Sequence, residues 1–206
     1  MNELQRCAWC GTDPLYVRYH DLEWGVPSRD DRHLFEMLIL EGAQAGLSWL
    51  TILRKREGYR RVFVGFDPRR IASFGDAEVQ TCLADTGIVR NRFKVQATVT
   101  NARALLALYG RGETLSDVLW RHVDGVTVQN RWPTLDDVPA STPVSDALSK
   151  ELKRLGFKFV GTTICYALMQ SVGMVNDHVT GCFRSGELAA EGLRTESESA
   201  FFQYGV

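Results

Sequence analysis

Lys153-Arg154-Leu155-Gly156-Phe157-Lys158-Phe159-Val160-Gly161-Thr162-Thr163 lies between two stretches of helical periodicity and pivots on glycines. Such a turn between two helices presents backbone N–H groups. Together with the positive end of the second helix they make a seat for an anion. The same stretch also reads as an ordinary turn of an antiparallel helix pair, many of which pivot on glycine. Outward from this turn, apolar residues recur at helical spacing from about residue 28 to residue 175, while period-2 alternation is rare. The reading is an all-α fold with no sheet. Leu34, Phe35, Leu38 and Ile39 form one buried stripe, and Val95, Val99, Ala102 and Leu106 another. Asp67-Pro68, Asp76, Ser116 and Ser145 are placed to start helices, and Gly87, Gly110 and Gly156 to end them in the left-handed conformation. Between His122 and Ser145 periodicity fades and prolines accumulate, which predicts a loop joining helical groups within one domain.

Four potential metal ligands fall in two distant pairs, Cys7 with His20 and His178 with Cys182. Thiolate and imidazole are the usual donors of a tetrahedral zinc site. Cys10 completes a C-x-x-C with Cys7 and is a rival ligand, and the cysteines can equally be read as small apolar residues. If residues 7 and 182 share an ion, the two ends of the chain close on each other. Five cysteines, an odd number, fit reduced thiols better than a disulfide framework.

The chain has 206 residues, 45% of them hydrophobic, enough for one large core. No apolar run approaches the roughly 20 residues of a membrane span, and the start MNELQRCAWCG lacks the shape of a secretion signal. A cytoplasmic, monomeric protein is expected. Net charge is −1, so any contact with nucleic acid must be local. Basic residues cluster at Arg54-Lys55-Arg56 with Arg60-Arg61, at 90–94 and at 150–158, each of which can also be a solvated helix face.

Glu41-Gly42-Ala43-Gln44-Ala45-Gly46-Leu47-Ser48-Trp49 sets a carboxylate and an amide among glycines and beside a Trp at a helix junction. A carboxylate ending an apolar helix face must find a partner or neutralise. Gly42 and Gly46 predict close approach of another group to the backbone. Upstream, Trp9, Tyr16, Tyr19 and Trp24 make an aromatic segment that fills core or stacks on a flat ligand.

The run from Asp13 to Pro27, Leu40-Glu41-Gly42 through Trp49, Gly156 to Thr163, and Val175-Asn176-Asp177-His178-Val179-Thr180-Gly181-Cys182 together closely resemble the bacterial 3-methyladenine DNA glycosylase I family. The resemblance covers residues 6 to 183 in unbroken order. It implies a helix-hairpin-helix DNA glycosylase fold, with one helical domain over 1–183 and a tail over 184–206. It also implies hydrolysis of the N-glycosidic bond of 3-methyladenine in double-stranded DNA, with free 3-methyladenine as product.

By the same resemblance one structural Zn²⁺ is held by Cys7, His20, His178 and Cys182, with Cys10 a bystander. Base recognition and catalysis fall on Glu41, with Tyr16, Tyr19, Trp24 and Trp49 around the base. DNA contacts fall on Gly156, Lys158, Gly161 and Thr162 in the hairpin, and Gln44 or Leu47 fills the hole left in the duplex.

Two departures from the wider superfamily stand out. Phe159 replaces the first hairpin glycine, and Asn176 stands where a catalytic Asp is usual. Thr163 occupies the place of the lyase lysine, which implies a monofunctional enzyme. The alternative is a zinc-bearing helical module that binds DNA without catalysis.

Overall fold

The computed structural model describes residues 4–190. Within this range lie the helices α1 (Pro14–Leu22), α2 (Asp31–Gln44), α3 (Trp49–Val62), α4 (Pro68–Ala72), α5 (Asp76–Ala84), α6 (Arg92–Tyr109), α7 (Leu115–Trp120), α8 (Pro143–Arg154) and α9 (Thr162–Ser171). A further helical stretch covers 183–190. None of the described helices is long and apolar enough to cross a membrane.

The centre of the molecule is α2. Every residue from Leu34 to Ala43 is buried, including Glu36 and Glu41, because α3, α6, α7 and α9 surround the helix. Its start is fixed by Asp30, whose side chain accepts from the His33 N–H at 2.7 Å. The second stripe is carried by α6 through Val95, Val99, Ala102, Leu105 and Leu108, while Leu106 sits at its half-buried edge. Helices α8 and α9 pack against each other across the glycine turn, and α9 lies on α2.

Several local expectations shift. Asp67 caps α4 with Pro68 at its first position, as expected. Helices α5, α7 and α8 begin one to three residues earlier than expected, with Gly75, Thr114 and Thr142 as their caps. Thr142 displaces Ser145 because Pro143 can enter only the first turn, which draws the start back to the residue before it. Gly156 is left-handed at φ +96°, whereas Gly110 ends α6 in the right-handed region. Gly87 is not left-handed either; a Cβ there would meet Arg61 Nη2 at 2.7 Å and Asp85 Oδ1 at 2.8 Å, and its carbonyl leaves no room for a Cβ at Gly58, so α3 and this turn touch backbone to backbone.

The expectation of no sheet is corrected by one short parallel pair, β1 (Val128–Gln129) with β2 (Val175–Asn176). It pins the polar loop after α7 to the segment that follows α9. The body extends past Cys182, since Leu188 is buried and a Cβ at Gly25 would meet its Cδ1 at 3.0 Å. Residues 191–206 of the expected tail lie outside the described residues.

Candidate functional site: an aromatic cavity against a cysteine–histidine cluster

Cys7, His20, His178 and Cys182 are all buried, with their ligand atoms within 4.8 Å of one another. Cys182 Sγ lies 3.4 Å from His20 Nε2 and 3.4 Å from His178 Nδ1, and Cys7 Sγ lies 3.6 Å from His178 Nδ1. A tetrahedron with ordinary zinc–sulfur and zinc–nitrogen bonds has sulfur–nitrogen edges of about 3.6 Å. The donor set and its spacing therefore fit one such ion. Each imidazole also has an outer partner that fixes its ring. His20 Nδ1 meets Asp21 Oδ1 at 2.7 Å, and Asp21 is in turn bridged by Arg6 at 2.8 Å. His178 Nε2 donates to the Trp24 carbonyl at 3.0 Å.

The Cys182 thiol is held far below its usual range, first by a hydrogen bond from Cys7 and then by the two histidines; Cys7, as the donor, is pushed up. Cys10 stays out of the cluster. Its Sγ points to the Cys7 carbonyl at 3.2 Å.

The cluster holds one wall of a cavity of about 420 Å³. Trp9 follows Cys7 in a tight turn and packs on Tyr16 at 5.0 Å and Trp24 at 4.9 Å, while Trp24 packs on the His178 ring at 4.6 Å. Tyr19 precedes His20 on α1 and meets Trp49 at 5.5 Å. Ligand residues and wall residues thus alternate along the same short segments. All five residues expected around a base, Tyr16, Tyr19, Trp24, Glu41 and Trp49, line this one cavity, and Gln44 joins them at its edge. Leu47 does not. It stands 41% exposed on the turn between α2 and α3.

The cavity's polar groups are left incomplete. Tyr19 Oη and Trp49 Nε1 are buried without a hydrogen-bond partner, a costly state for a donor. Glu41 lies in the last turn of α2, and burial pushes its carboxyl up to about 8, against a smaller opposing effect of Ser171. At neutral pH it is mostly protonated, and an arriving cation would let it ionise.

Sequence reading missed the opposite wall. Leu135, Val138, Pro139 and Ala140 come from the loop after β1, and Tyr166, Ala167 and Gln170 from α9. Apolar residues at 135, 138 and 139 in an otherwise polar loop were the available signal. Asp177 also lines the cavity. Asn176 turns away: its Nδ2 donates to Gln129 Oε1 at 2.8 Å and to the Ser185 carbonyl at 3.0 Å. Thr163 is part of the cavity wall.

The hairpin after α8 is held from outside the pair. Lys158 donates its N–H to Asn101 Oδ1 at 2.7 Å, and its carbonyl accepts from Asn101 Nδ2 at 3.0 Å. That N–H is therefore not free for an anion, and the Thr162 hydroxyl is likewise engaged, with Asp146. Phe159 keeps the left-handed conformation of a glycine, with φ +55°. The strain, about 1–2 kcal/mol, is offset by packing: a Cβ at Gly42 would meet the Phe159 Cβ at 3.1 Å. Gly42 thus does receive a close neighbour. Gly46 has none, and it serves the turn instead, at φ +81°.

The basic clusters divide. Arg56 is buried between Glu23 and Glu36, Arg61 pairs with Asp85 and Arg54 with Asp13, so the first cluster is structural. Lys94 donates to the carbonyls of Ala43 and Ala45 at 2.8 and 2.7 Å and closes the C-terminal end of α2.

A glycine-pivoted helix pair set beside an interior aromatic cavity with an acid at its floor places the molecule among the helix-hairpin-helix base-excising enzymes. Within that class the chain belongs to the methyladenine glycosylase family, whose family model matches residues 9–185. It is 52% identical over 179 residues to the DNA-3-methyladenine glycosylase 1 of Escherichia coli strain K12, covering 87% of this chain and 96% of the relative. A crystal structure of a 3-methyladenine DNA glycosylase I superposes with a TM-score of 0.86 at 57% identity, over 87% of this chain and 98% of that one. A Staphylococcus aureus 3-methyladenine DNA glycosylase I, solved to show the structural basis of 3-methyladenine recognition, superposes with a TM-score of 0.84 at 33% identity, over 87% and 96%.

Proposed function

We infer that the protein is a DNA repair glycosylase that hydrolyses the N-glycosidic bond of 3-methyladenine in alkylated DNA, with the cavity receiving the extruded base. The observation that carries this reading is the incomplete interior: Tyr19 Oη and Trp49 Nε1 are buried without a partner in the lining of one aromatic space, beside a Glu41 carboxyl that burial drives toward its neutral form. A module that only bound DNA from outside would have no use for such a space. Membership of the methyladenine glycosylase family supplies the substrate.

In DNA, methylation at N3 leaves adenine positively charged and its bond to the sugar weak. The protein must extrude the nucleotide, recognise the cation and admit water. The aromatic walls of Tyr16, Tyr19, Trp24 and Trp49 stack on an electron-poor ring. Glu41 ionises as the cation enters and accepts from its amino edge. As the C1′–N9 bond breaks, its electron pair returns to the base, which leaves neutral; water adds at C1′ and loses a proton, leaving an abasic site.

Thr163, in the cavity wall, offers no amine for a Schiff base, so no strand cleavage follows. The hairpin at Gly156, Lys158 and Gly161 would meet phosphate through the N–H groups that open α9 and through the exposed Lys158 side chain. Leu47, exposed beside the cavity mouth, would enter the gap in the duplex, with Gln44 next to it. Cys7, His20, His178 and Cys182 would hold one zinc ion, which ties residues near both ends of the chain together and fixes the aromatic wall.

Release of methylated bases from methylated DNA, resolved by chromatography, tests the reading. Free 3-methyladenine should accumulate in proportion to protein, with strands intact and no adduct trapped by borohydride. DNA binding without base release would overturn it.

A further inference from the structure

Asp177 is 1% exposed and follows β2, on the opposite side of the chain from Asn176. Its Oδ1 accepts from Asn130 Nδ2 at 2.6 Å and Trp132 Nε1 at 2.8 Å. Its Oδ2 accepts from Tyr166 Oη at 2.6 Å and Gln170 Nε2 at 2.8 Å. Four donors fill the four lone-pair positions of a carboxylate and leave no acceptor for a carboxyl proton. The groups that bind it are all neutral, and among the described residues no Lys or Arg forms an ion pair with it. A full negative charge is thus built into the wall of the cavity, in a form that no neighbour cancels.

A group of this kind costs stability to bury, even with its hydrogen bonds made. It is also the opposite of what a pocket for a neutral purine needs. We propose that Asp177 is the fixed anion of the cavity, a specificity-determining residue that favours a positively charged nucleotide over a neutral one and ceases to hold the base once cleavage has made it neutral. This rests on the reading of the cavity as the 3-methyladenine site. Glu41 does not duplicate the role, because burial keeps it mostly protonated until a cation arrives. Asn176 cannot supply it, being uncharged and turned toward Gln129 and Ser185. The negative charge expected one position earlier in the chain is displaced by one residue, to the face of the strand end that meets the ligand.

The inference separates two ligands of the same shape. The lesion in DNA brings a net positive charge into the cavity. Free 3-methyladenine at neutral pH brings none. Asp177→Asn in the zinc-loaded protein should therefore lower kcat/KM for excision from lesion DNA by on the order of thirtyfold, the scale of one unit charge acting across a base-sized gap at an effective dielectric of about 20. Affinity for the free base should stay within about threefold. A merely structural Asp177 would make both fall together, and an equal loss of both, or of neither, overturns the proposal.

Asp177→Asn places an amide among four donors and can fail to fold. Asn130→Lys then decides: Asn130 is half-buried, so a lysine can reach Asp177 from solvent and cancel its charge with the carboxylate in place. It should reproduce the same split, whereas Asn130→Gln should not. Absence of free-base binding in the wild type would strike the reading of the cavity itself, which is a different result from loss of the split.

Discussion

The cysteine–histidine cluster and the cavity are both buried, share a wall and are built from neighbouring residues, yet they are finished to different degrees. In the cluster the outer ring nitrogens are satisfied, by Asp21 and by the Trp24 carbonyl, and the four ligand atoms converge on one point. In the cavity, Tyr19 Oη and Trp49 Nε1 have no partner and Glu41 is forced toward its neutral form. The first region is complementary to a single ion and rigid around it. The second is complementary to something that comes and goes. Buried polar groups are ordinarily paired, so the contrast marks which of the two is the working site and which is its support.

If that division holds, the largest effect belongs to the support. Removing the metal with a chelator, or Cys182→Ser, should lower stability by about 5 kcal/mol or more and the melting temperature by about 10–20 °C. Differential scanning calorimetry with metal analysis reads this. Cys10→Ser should retain the metal, because its Sγ turns to the Cys7 carbonyl. Loss of metal from Cys10→Ser but not from Cys7→Ser would break the comparison.

The unfinished state of the cavity has a stability signature of its own. Glu41 has a folded-state pKa of about 8 against an unfolded value near 4.5. The folded protein therefore binds more protons than the unfolded chain between these values, and this group's contribution falls as pH rises from 4.5 to 8. Glu41→Gln, which has no proton to lose, should match the wild type below pH 4.5. Above pH 8 it should be the more stable of the two, by on the order of 5 kcal/mol. Denaturant titrations at pH 5 and pH 9 measure the difference. A variant less stable at pH 9 than the wild type would mean that Glu41 is a satisfied structural carboxylate.

How much of this could be read without coordinates depends on where the physical signal resides. The helices of the core announced themselves through apolar spacing; the candidate metal ligands showed only as two thiol–imidazole pairs, with Cys10 a rival that the spacing alone did not set aside. The aromatic half of the cavity was legible because Tyr16, Tyr19, Trp24 and Trp49 are large and clustered in sequence. The other half was not. Leu135, Val138 and Pro139 sit in a loop without periodicity, and only the β1–β2 pairing brings that loop to α9. Asp177 was hidden by its neighbour: resemblance directs attention to Asn176, and a shift of one residue along a strand reverses the side that faces the ligand. Phe159 was noted as a departure from glycine, but its left-handed backbone and its seat on Gly42 belong to tertiary packing.

The central claim is that the unfinished groups of the cavity are completed by a methylated purine. Calorimetric titration of free 3-methyladenine into the wild type and Glu41→Gln at neutral pH addresses it directly. The account predicts one saturable site in the wild type, weakened in the variant by about 1 kcal/mol, the scale of a hydrogen bond between neutral groups, since neither the free base nor the protonated Glu41 carries a charge. Equal affinity in the two proteins, or no binding in the wild type, would contradict it.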